Sequence, residues 1–413
     1  MLKFGYLRVM KRFSLKPFIQ SVVNRPESYF AADILANAPA LRQAIAGKSV
    51  LVIGGAGTIG SSYIRALLPF EPKRVIVVDT DENGLTELVR DVRSTEGLFV
   101  PDEFITYPVS FADPVFEKIF IQKGPFEIVA NFAAHKHVRS EKDELSIEAM
   151  INNNVIRAKK LLDLLMLHKP EHFFCVSTDK AANPVNVMGG SKKLMEEVIL
   201  AYSQHIPITT ARFANVAFSN GSLLYGFMER MLKQQPFSGP SNIRRYFVTP
   251  EESGQLCMLA CMLGESGSIF FPKLDPEKDM QTFQTVGVQL LKAYGLEPRF
   301  CASEQEARQM AAALLDTDTH YPVYFFESDT SGEKPYEEFY TDQEDLVMDR
   351  FNALGFVRNA PKQSVSAIDA MFEEFQHLFT QGAISKESIV LLMKKYIPNF
   401  DHIEKGKNLD QRM

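Results

Sequence analysis

Two ionisable side chains stand next to each other in the middle of the chain, in the run Ser177-Thr178-Asp179-Lys180. A carboxyl group can donate a proton and a neutral amine can accept one, so this pair can act as acid and base on neighbouring carbon atoms of a substrate. For that chemistry, burial and nearby positive charge must shift the pKa values of Asp179 and Lys180 toward neutrality. The alternative is an ordinary ion pair at the end of a strand. From these residues alone both interpretations stay open.

A second candidate site is a glycine run, Gly54, Gly57 and Gly60, which precedes a helix expected to begin near Thr58. Glycine lets backbone N–H groups approach a pyrophosphate in a tight turn, and the helix N-terminus adds partial positive charge. Asp79 ends the next predicted strand, where a carboxylate accepts hydrogen bonds from an adenosine ribose. The pattern predicts a dinucleotide site. It favours NAD over NADP, because a 2′-phosphate would meet the like charge of Asp79, although a neighbouring cation would still allow NADP.

Short apolar runs alternate with longer helical stretches between residues 48 and 216, which is typical of parallel strands joined by crossover helices. The sequence predicts an α/β fold, with a doubly wound parallel (Rossmann) sheet and a smaller, loop-rich C-terminal substrate lobe. The predicted strands are 49–53, 74–79, 104–109, 126–133, 172–177 and 208–213, and the main predicted helices are 144–169 and 189–204.

The expected domains follow from the same pattern. They are a basic N-terminal arm and helix over residues 1–47 and a dinucleotide-binding Rossmann domain over 48–215. A lobe mainly for substrate spans 216–350, with a partial return to the Rossmann domain. A helical C-terminal extension spans 351–413.

The composition limits the class of protein. The 413 residues include 46% hydrophobic and 23% charged side chains with a net charge of -6, which is typical of a globular protein and argues against a nucleic-acid partner. No apolar run approaches the ~20 residues that a transmembrane helix needs. Four cysteines without a Cys-x-x-Cys pair predict neither disulfides nor a thiolate metal site, and favour the cytoplasm. His135 and His137 have no evident third ligand, so we expect no metal.

The first 25 residues carry six basic side chains and no acidic one. They contain neither the continuous apolar segment nor the cleavage site of a secretory signal. Two interpretations stay open. The segment is an arm that packs on the body of the protein or on a second subunit, or it is attracted to an anionic membrane surface. We favour the arm.

Several runs resemble the extended short-chain dehydrogenase/reductases: the glycine run, 131–134, 153–155 and 177–181. Four more runs, at 183–189, 212–216, 245–252 and 332–338, resemble the UDP-N-acetylglucosamine 4,6-dehydratases of polysaccharide biosynthesis. The resemblance implies that UDP-N-acetylglucosamine becomes a UDP-4-keto-6-deoxy-N-acetylhexosamine. The implied reaction oxidises C4 transiently with NAD, eliminates water across C5 and C6, and returns the hydride to C6. The resemblance also implies a homo-oligomer.

The same resemblance assigns the catalytic roles. It makes Asp179 the acid, Lys180 the base and Thr178 a hydrogen-bond partner of the C4 oxygen, while Lys192 contacts the nicotinamide ribose. Met188 replaces the usual catalytic tyrosine of the superfamily, as it does in one branch of the dehydratases. Methionine cannot accept a proton, so either Asp179 or Thr178 takes the C4 hydroxyl proton, directly or through water, or the protein does not oxidise sugars.

The implied binding residues form two sets. The expected cofactor contacts are Gly54, Gly57, Thr58, Ile59, Gly60, Asp79, Ala133, Ala134, Asn154, Ser177 and Lys192. The expected substrate contacts are His137, Asn215, Ser222, Arg245 and Glu333, with Arg244 and Lys233 as further phosphate candidates and Glu337 near the nucleoside.

Two rival functions stay open. A nucleotide-sugar 4-epimerase or related oxidoreductase would share the fold but needs no acid–base pair for C5 and C6. A non-catalytic NAD-binding regulatory protein would explain Met188.

Overall fold

The computed structural model describes residues 14–328, 332, 334–381 and 384–404. Glu333 and most of the basic residues of the N-terminal arm lie outside the described residues. Within these ranges the strands are β1 (Ser49–Ile53), β2 (Arg74–Asp79), β3 (Glu103–Pro108), β4 (Ile128–Asn131), β5 (His172–Val176), β6 (Ile208–Ala211), β7 (Asn215–Val216), β8 (Phe237–Pro240), β9 (Arg244–Val248), β10 (Ile269–Pro272), β11 (Met280–Thr282), β12 (Glu297–Phe300), β13 (His320–Phe326), β14 (Asp345–Val347) and β15 (Leu354–Arg358).

The described α-helices flank these strands, and a π-helical turn, Asn152–Ile156, joins two of them. They are α1 (Leu15–Val22), α2 (Ala31–Ala36), α3 (Ala38–Ile45), α4 (Thr58–Leu67), α5 (Glu82–Ser94), α6 (Pro114–Lys123), α7 (Glu144–Ile151), α8 (Arg157–Leu167), α9 (Val187–Tyr202), α10 (Leu223–Leu232), α11 (Pro250–Leu263), α12 (Phe283–Ala293), α13 (Glu304–Ala312), α14 (Val365–Thr380) and α15 (Lys386–Tyr396).

A nine-stranded sheet forms the centre, in the order β14-β15-β10-β6-β5-β4-β1-β2-β3. The strands from β3 to β10 in this order pair in parallel, and β15 and β14 extend the edge antiparallel. Val50 and Val52 enter one apolar core layer while Leu51 and Ile53 enter the opposite one, because successive side chains of a strand point to opposite faces. The predicted doubly wound Rossmann sheet is confirmed.

The strand order reverses between β1 and β4, where the chain leaves β1 for β2 on one side and β4 lies on the other. In open α/β sheets, ligands bind outside the carboxyl ends of the strands at such a switch point. Four predicted strands end earlier than expected: β3 stops at Pro108, β4 at Asn131, β5 at Val176 and β6 at Ala211. The backbone N–H groups of the residues after β4, β5 and β6 still donate to the neighbouring strands, from Phe132 to Ile53, from Ser177 to Ala211 and from Arg212 to Phe270.

The smaller lobe contains two three-stranded sheets, β11-β9-β7 and β12-β13-β8. Helix α1 of the N-terminal segment packs into the apolar core of this lobe through Phe18, Ile19 and Val22. Arg25 then donates hydrogen bonds to both carboxylate oxygens of Glu252, at 3.0 Å each. The described part of the arm therefore packs on the body of the protein.

The C-terminal third returns to the main sheet before it becomes helical. β10 and α11 belong to the Rossmann domain, and β15 pairs with β10, so the segment after 350, expected to be helical, starts with a sheet strand and its helices begin at Val365. Helices α14 and α15 pack on α9. The tail crosses the loop before α9, where the N–H of Ile403 donates to the carbonyl of Val185 at 3.0 Å.

The described helices include none that combines the length and the apolar character needed to cross a bilayer. All four cysteines of the chain fall in the described residues, and each is a buried free thiol. This agrees with the absence of a disulfide framework expected from their spacing.

Candidate active site

The glycine turn joins β1 to α4, as predicted. Gly54 has φ +76°, and a Cβ there would lie 2.5 Å from the backbone nitrogen of Ala133, while a Cβ on Gly60 would overlap the carbonyl oxygen of Gly54. Gly57 differs, because its φ is -68° and the nearest atom to an added Cβ lies 3.6 Å away. Packing within the chain requires glycine at 54 and 60 but not at 57. Space therefore remains beside Gly57, the N-cap of α4, where a phosphate fits the helix N-terminus.

Asp79 ends β2 beside this turn. One carboxylate oxygen accepts a hydrogen bond from the N–H of Ala56 at 2.9 Å, and the other accepts one from Asp81 at 3.0 Å. The side chain is partly exposed, and each carboxylate oxygen has a second lone pair with which to meet ribose hydroxyls. The turn and the carboxylate together fit an adenosine dinucleotide.

Substitution of the two glycines separates cofactor binding from folding. We expect Gly57→Ala to keep the free energy of unfolding within about 0.5 kcal/mol of wild type and to weaken NAD binding about tenfold or more. Gly60→Ala is the matched comparison, and we expect it to lose about 1–3 kcal/mol or more through the clash with Gly54. Urea unfolding and NAD titration measure both. Unchanged NAD affinity in Gly57→Ala would place the cofactor elsewhere.

Asn154 organises the loop after β4 from within the π-helical turn. Its buried amide accepts a hydrogen bond from the N–H of His135 at 2.8 Å and donates to the carbonyl of the same residue at 2.9 Å and to the Ser191 hydroxyl at 3.0 Å. Ala133 is fixed in turn by its N–H, which donates to the Asn131 side chain at 3.0 Å. Asn154 was predicted to contact the cofactor; in the structure its amide is hydrogen-bonded within the chain and positions this loop.

A cavity of about 650 Å³ opens at the carboxyl ends of the strands, between the sheet and the smaller lobe. Met188 forms part of its wall. The structure brings the following predicted site residues to this cavity: Ile59, Ala134, His137, Ser177, Thr178, Lys180, Lys192, Asn215 and Ser222. The remaining described ones lie outside its lining: Gly54, Gly57, Thr58, Gly60, Asp79, Ala133, Asn154, Asp179 and Arg245.

The acid–base pair follows β5. Asp179 is 3% exposed, and its Oδ1 accepts hydrogen bonds from the Thr178 hydroxyl at 2.8 Å, from the Lys180 backbone N–H at 2.9 Å and from Lys180 Nζ at 2.9 Å. Thr178 and Lys180 line the cavity, whereas Asp179 lies behind them. The three side chains form a hydrogen-bonded chain whose two ends face the cavity. Protons can therefore reach Asp179 through Thr178.

Two further predicted residues have partners that define what they can do. The Lys192 ammonium donates to the carbonyl of Val176 at 2.9 Å, and burial lowers its pKa. It holds a cationic group in the cavity wall beside Met188. The Ser177 hydroxyl donates to Glu196 at 2.6 Å. Its hydrogen is thus directed into the protein rather than toward a cofactor.

The predicted phosphate-binding cations lie away from the cavity lining. Arg245 is 5% exposed and donates to the carbonyls of Lys334 and Pro335, at 3.0 and 3.4 Å. Arg244 donates to the carbonyl of Pro276. Lys233 pairs with a glutamate of its own helix, α10, at 2.9 Å.

Arg230, which the sequence did not single out, lines the cavity instead. Its Nε is buried and has no hydrogen-bond partner within the described part of the chain. Leu223, Phe227 and Arg230 are spaced i, i+4 and i+7 on α10, so they share one helix face. This spacing, directly after the predicted substrate contact Ser222, is the sequence feature that could have identified Arg230 as a cavity residue.

His137 adds a neutral polar group to the cavity wall. Partial burial and the nearby positive charges of Lys136 and Arg139 lower its pKa, so the imidazole is uncharged at neutral pH and can donate or accept a hydrogen bond. It packs against Gly221, where an added Cβ would lie 3.2 Å from its Nε2. Its position suits contact with a sugar.

A family model described as "Polysaccharide biosynthesis protein" matches residues 50–357. An uncharacterized membrane protein of Methanocaldococcus jannaschii is 30% identical over 260 residues, 61% of this chain and 74% of that protein. The probable polysaccharide biosynthesis protein EpsC of Bacillus subtilis is 30% identical over 250 residues, 58% of this chain and 41% of EpsC. The chain thus matches less than half of EpsC. A UDP-N-acetylglucosamine 4,6-dehydratase (inverting) of Campylobacter jejuni is 24% identical over 241 residues, 56% of this chain and 69% of that enzyme.

Solved structures share the fold. Pen from Bacillus thuringiensis superimposes with a TM-score of 0.61 at 19% identity, over 80% of this chain and 98% of its own. DesIV from Streptomyces venezuelae, a dTDP-glucose 4,6-dehydratase with NAD and TYD bound, superimposes with a TM-score of 0.55 at 17% identity, over 80% and 97% of the two chains. At these identities the likeness concerns the fold alone.

Proposed function

The chain belongs to the family of polysaccharide biosynthesis proteins, and we propose that within it the chain is an NAD-dependent nucleotide-sugar 4,6-dehydratase. The substrate we propose is UDP-N-acetylglucosamine and the product a UDP-4-keto-6-deoxy-N-acetylhexosamine, made in the cytoplasm by a homo-oligomer. One observation carries the proposal: Thr178, Asp179 and Lys180 form a hydrogen-bonded chain at the wall of the cavity. A 4-epimerase has no step that uses such a pair at C5 and C6.

The residues that would hold NAD are those of the glycine turn, Asp79 and Lys192. The turn offers backbone N–H groups to the pyrophosphate, the carboxylate meets the adenosine ribose, and the buried ammonium meets the nicotinamide ribose. Held there, NAD would supply the reversible hydride acceptance that the transient oxidation at C4 and the reduction at C6 require.

The proton transfers can be assigned to the chain's own residues. Thr178 accepts the proton of the C4 hydroxyl and passes its own to Asp179, 2.8 Å away, which removes the need for a tyrosine at Met188. Asp179, now protonated, returns this proton through Thr178 to the C6 oxygen as water leaves. Lys180, as a neutral amine, removes the C5 proton, which the ketone at C4 has made acidic.

The smaller lobe would bind the nucleotide. We assign Arg230 to the diphosphate because a guanidinium matches phosphate oxygens and its Nε lacks a partner within the described residues. Asn215 and Ser222 line the same region of the cavity and can donate to phosphate or sugar oxygens. His137 is the assigned contact to the hexose.

Incubation with UDP-N-acetylglucosamine in deuterated water tests the function. We expect deuterium at C5 and loss of the C6 oxygen, observed by NMR and mass spectrometry, because Lys180 exchanges its protons with solvent before it returns one to C5. A C4 epimer that keeps its C6 oxygen would replace the proposal with the epimerase. Unchanged sugar with NAD bound would replace it with a binding role.

A further inference from the structure

Glu337 is a buried carboxylate next to the acid–base pair, and the reaction as described does not use it. It is 3% exposed. Its Oε1 lies 3.9 Å from Lys180 Nζ and 3.6 Å from Arg245 Nη2. Lys180 Nζ therefore has two carboxylates nearby, since Asp179 Oδ1 also lies 2.9 Å from it.

The charged groups that face Glu337 come from three segments of the chain. They are Lys180 and Asp179 after β5, Arg245 on β9 and Lys334 on its own segment. Burial raises the pKa of Glu337, and the charge of Asp179 acts in the same direction, against the opposing charges of the three cations. A proton on this carboxyl is therefore less costly than on an exposed glutamate.

Lys180 must lose a proton before it can act as the base, and Glu337 can accept that proton. Its ammonium donates to Asp179 in the structure, yet removal of the C5 proton requires a neutral amine. Once Asp179 has taken the proton of the C4 hydroxyl, it is neutral and no longer an ion-pair partner. Glu337 is then the carboxylate that remains paired with Lys180 among the described residues.

We propose that Glu337 is a positioning residue that acts through Lys180, by accepting a proton from Lys180 Nζ after Asp179 has been protonated. One N–H bond of the ammonium breaks, an O–H bond forms at Glu337 Oε1, and Lys180 is left as the neutral amine. The inference rests on the proposed function. The flexible side chain of Lys180 swings the ammonium from Asp179 to Glu337, which closes the 3.9 Å gap.

The same arrangement gives Arg245 a structural task. Its guanidinium donates to the carbonyls of Lys334 and Pro335 and stands beside Glu337, so it fixes the segment that presents the carboxylate. This use explains why Arg245 lies outside the cavity, although its residue type suits a phosphate.

An internal proton acceptor predicts a specific dependence of kcat on pH. In the wild type the proton stays within the Lys180–Glu337 pair, so the fraction of neutral Lys180 is independent of bulk pH through the neutral range. In Glu337→Gln the proton must leave to solvent. The kcat of this variant should then rise about tenfold per pH unit until Lys180 is deprotonated.

The experiment compares kcat and KM against pH for the full chain and three variants. We expect Glu337→Gln to lower kcat about a hundredfold at neutral pH, to change KM by less than about threefold, and to recover at alkaline pH. Glu337→Asp keeps a carboxylate and should retain the flat profile. Glu338→Gln is the matched control, because the neighbouring Glu338 is 46% exposed in its side chain and accepts from Asn183 instead.

A single-turnover measurement supplies a second readout. Reduction of NAD at the C4 step, followed by its absorbance, should keep the wild-type rate in Glu337→Gln because that step uses Thr178 and Asp179. A kcat profile for Glu337→Gln that runs parallel to wild type would overturn the inference and leave a structural role. If the wild-type chain neither oxidises nor dehydrates a nucleotide sugar, the proposed function itself is overturned. The measurements on the wild-type chain distinguish this outcome from the failure of the inference about Glu337.

Discussion

Asp179→Asn is expected to lower turnover by about a thousandfold or more while NAD binding stays near wild type. The amide keeps the shape of the carboxyl and can still accept a hydrogen bond from Thr178, but it can neither hold the C4 proton nor return it to the C6 oxygen. Lys180→Ala should have an effect of the same size, because no other amine is assigned to the C5 proton. Product formation by NMR and titration with NAD measure the two properties.

A second Asp–Lys pair provides the control for this prediction. Lys159 and Asp163 form an ion pair at 2.9 Å on α8, with the Asp163 side chain 49% exposed. Asp163→Asn should leave turnover unchanged, since that pair lies outside the cavity lining. Near-normal turnover in either Asp179→Asn or Lys180→Ala would refute the assigned roles. Another residue would then have to remove the C5 proton or hold the C4 proton.

Arg212→Met is expected to cost about 3–5 kcal/mol of folding free energy. Arg212 is fully buried and donates to both carboxylate oxygens of Glu196, at 2.9 and 2.8 Å, and to Glu344 at 2.9 Å. Methionine removes the guanidinium that pairs with Glu196 and leaves this buried carboxylate with Lys193 Nζ at 3.8 Å. Because Glu196 also accepts from Ser177, the end of β5 that carries Asp179 should be disturbed as well. Urea unfolding at neutral pH measures the loss.

The pH dependence of this loss follows from the pKa of Glu196. Burial alone would raise it, but the charge and hydrogen bonds of Arg212 lower it below the ordinary value of 4.5. In the wild type this group therefore contributes stability above that pH, and the contribution is lost as the pH falls through the lower folded-state pKa. In Arg212→Met burial raises the pKa instead, so protonation relieves the variant and the difference between the two proteins shrinks in acid.

A double variant tests whether the uncompensated charge is the cause. Glu196→Gln with Arg212→Met removes both charges, and we expect it to recover a large part of the lost stability. If the double variant were as unstable as Arg212→Met at every pH, lost packing rather than charge would explain the effect.

The candidate site divides into residues whose placement follows from local pattern and residues whose placement does not. The glycine turn between β1 and α4, and the acid–base run after β5, were predicted at the positions where the structure has them. Both predictions depend only on neighbours in the sequence and on the rule that parallel strands end at one edge of the sheet. The chemical roles given to these residues stay predictions until the variants are measured.

The placement of other residues depended on contacts between distant segments. Arg245 was expected to bind a phosphate, but its guanidinium donates hydrogen bonds to the carbonyls of Lys334 and Pro335. Arg230, which the sequence did not single out, lines the cavity instead. An arginine's residue type fits either role. Only the packing of the lobe against the sheet decides which guanidinium finds backbone acceptors and which keeps a buried, unpartnered nitrogen.

The sequence alone determined the doubly wound sheet, the place of the dinucleotide turn and the adjacency of Asp179 and Lys180. It could do so because hydrophobic periodicity and glycine positions are local properties of the chain. The tertiary structure alone decided that Asp179 lies behind Thr178 and that Glu337 stands beside Lys180. The second arrangement joins segments far apart in the chain, and both depend on burial and charge compensation between surfaces that no local pattern records.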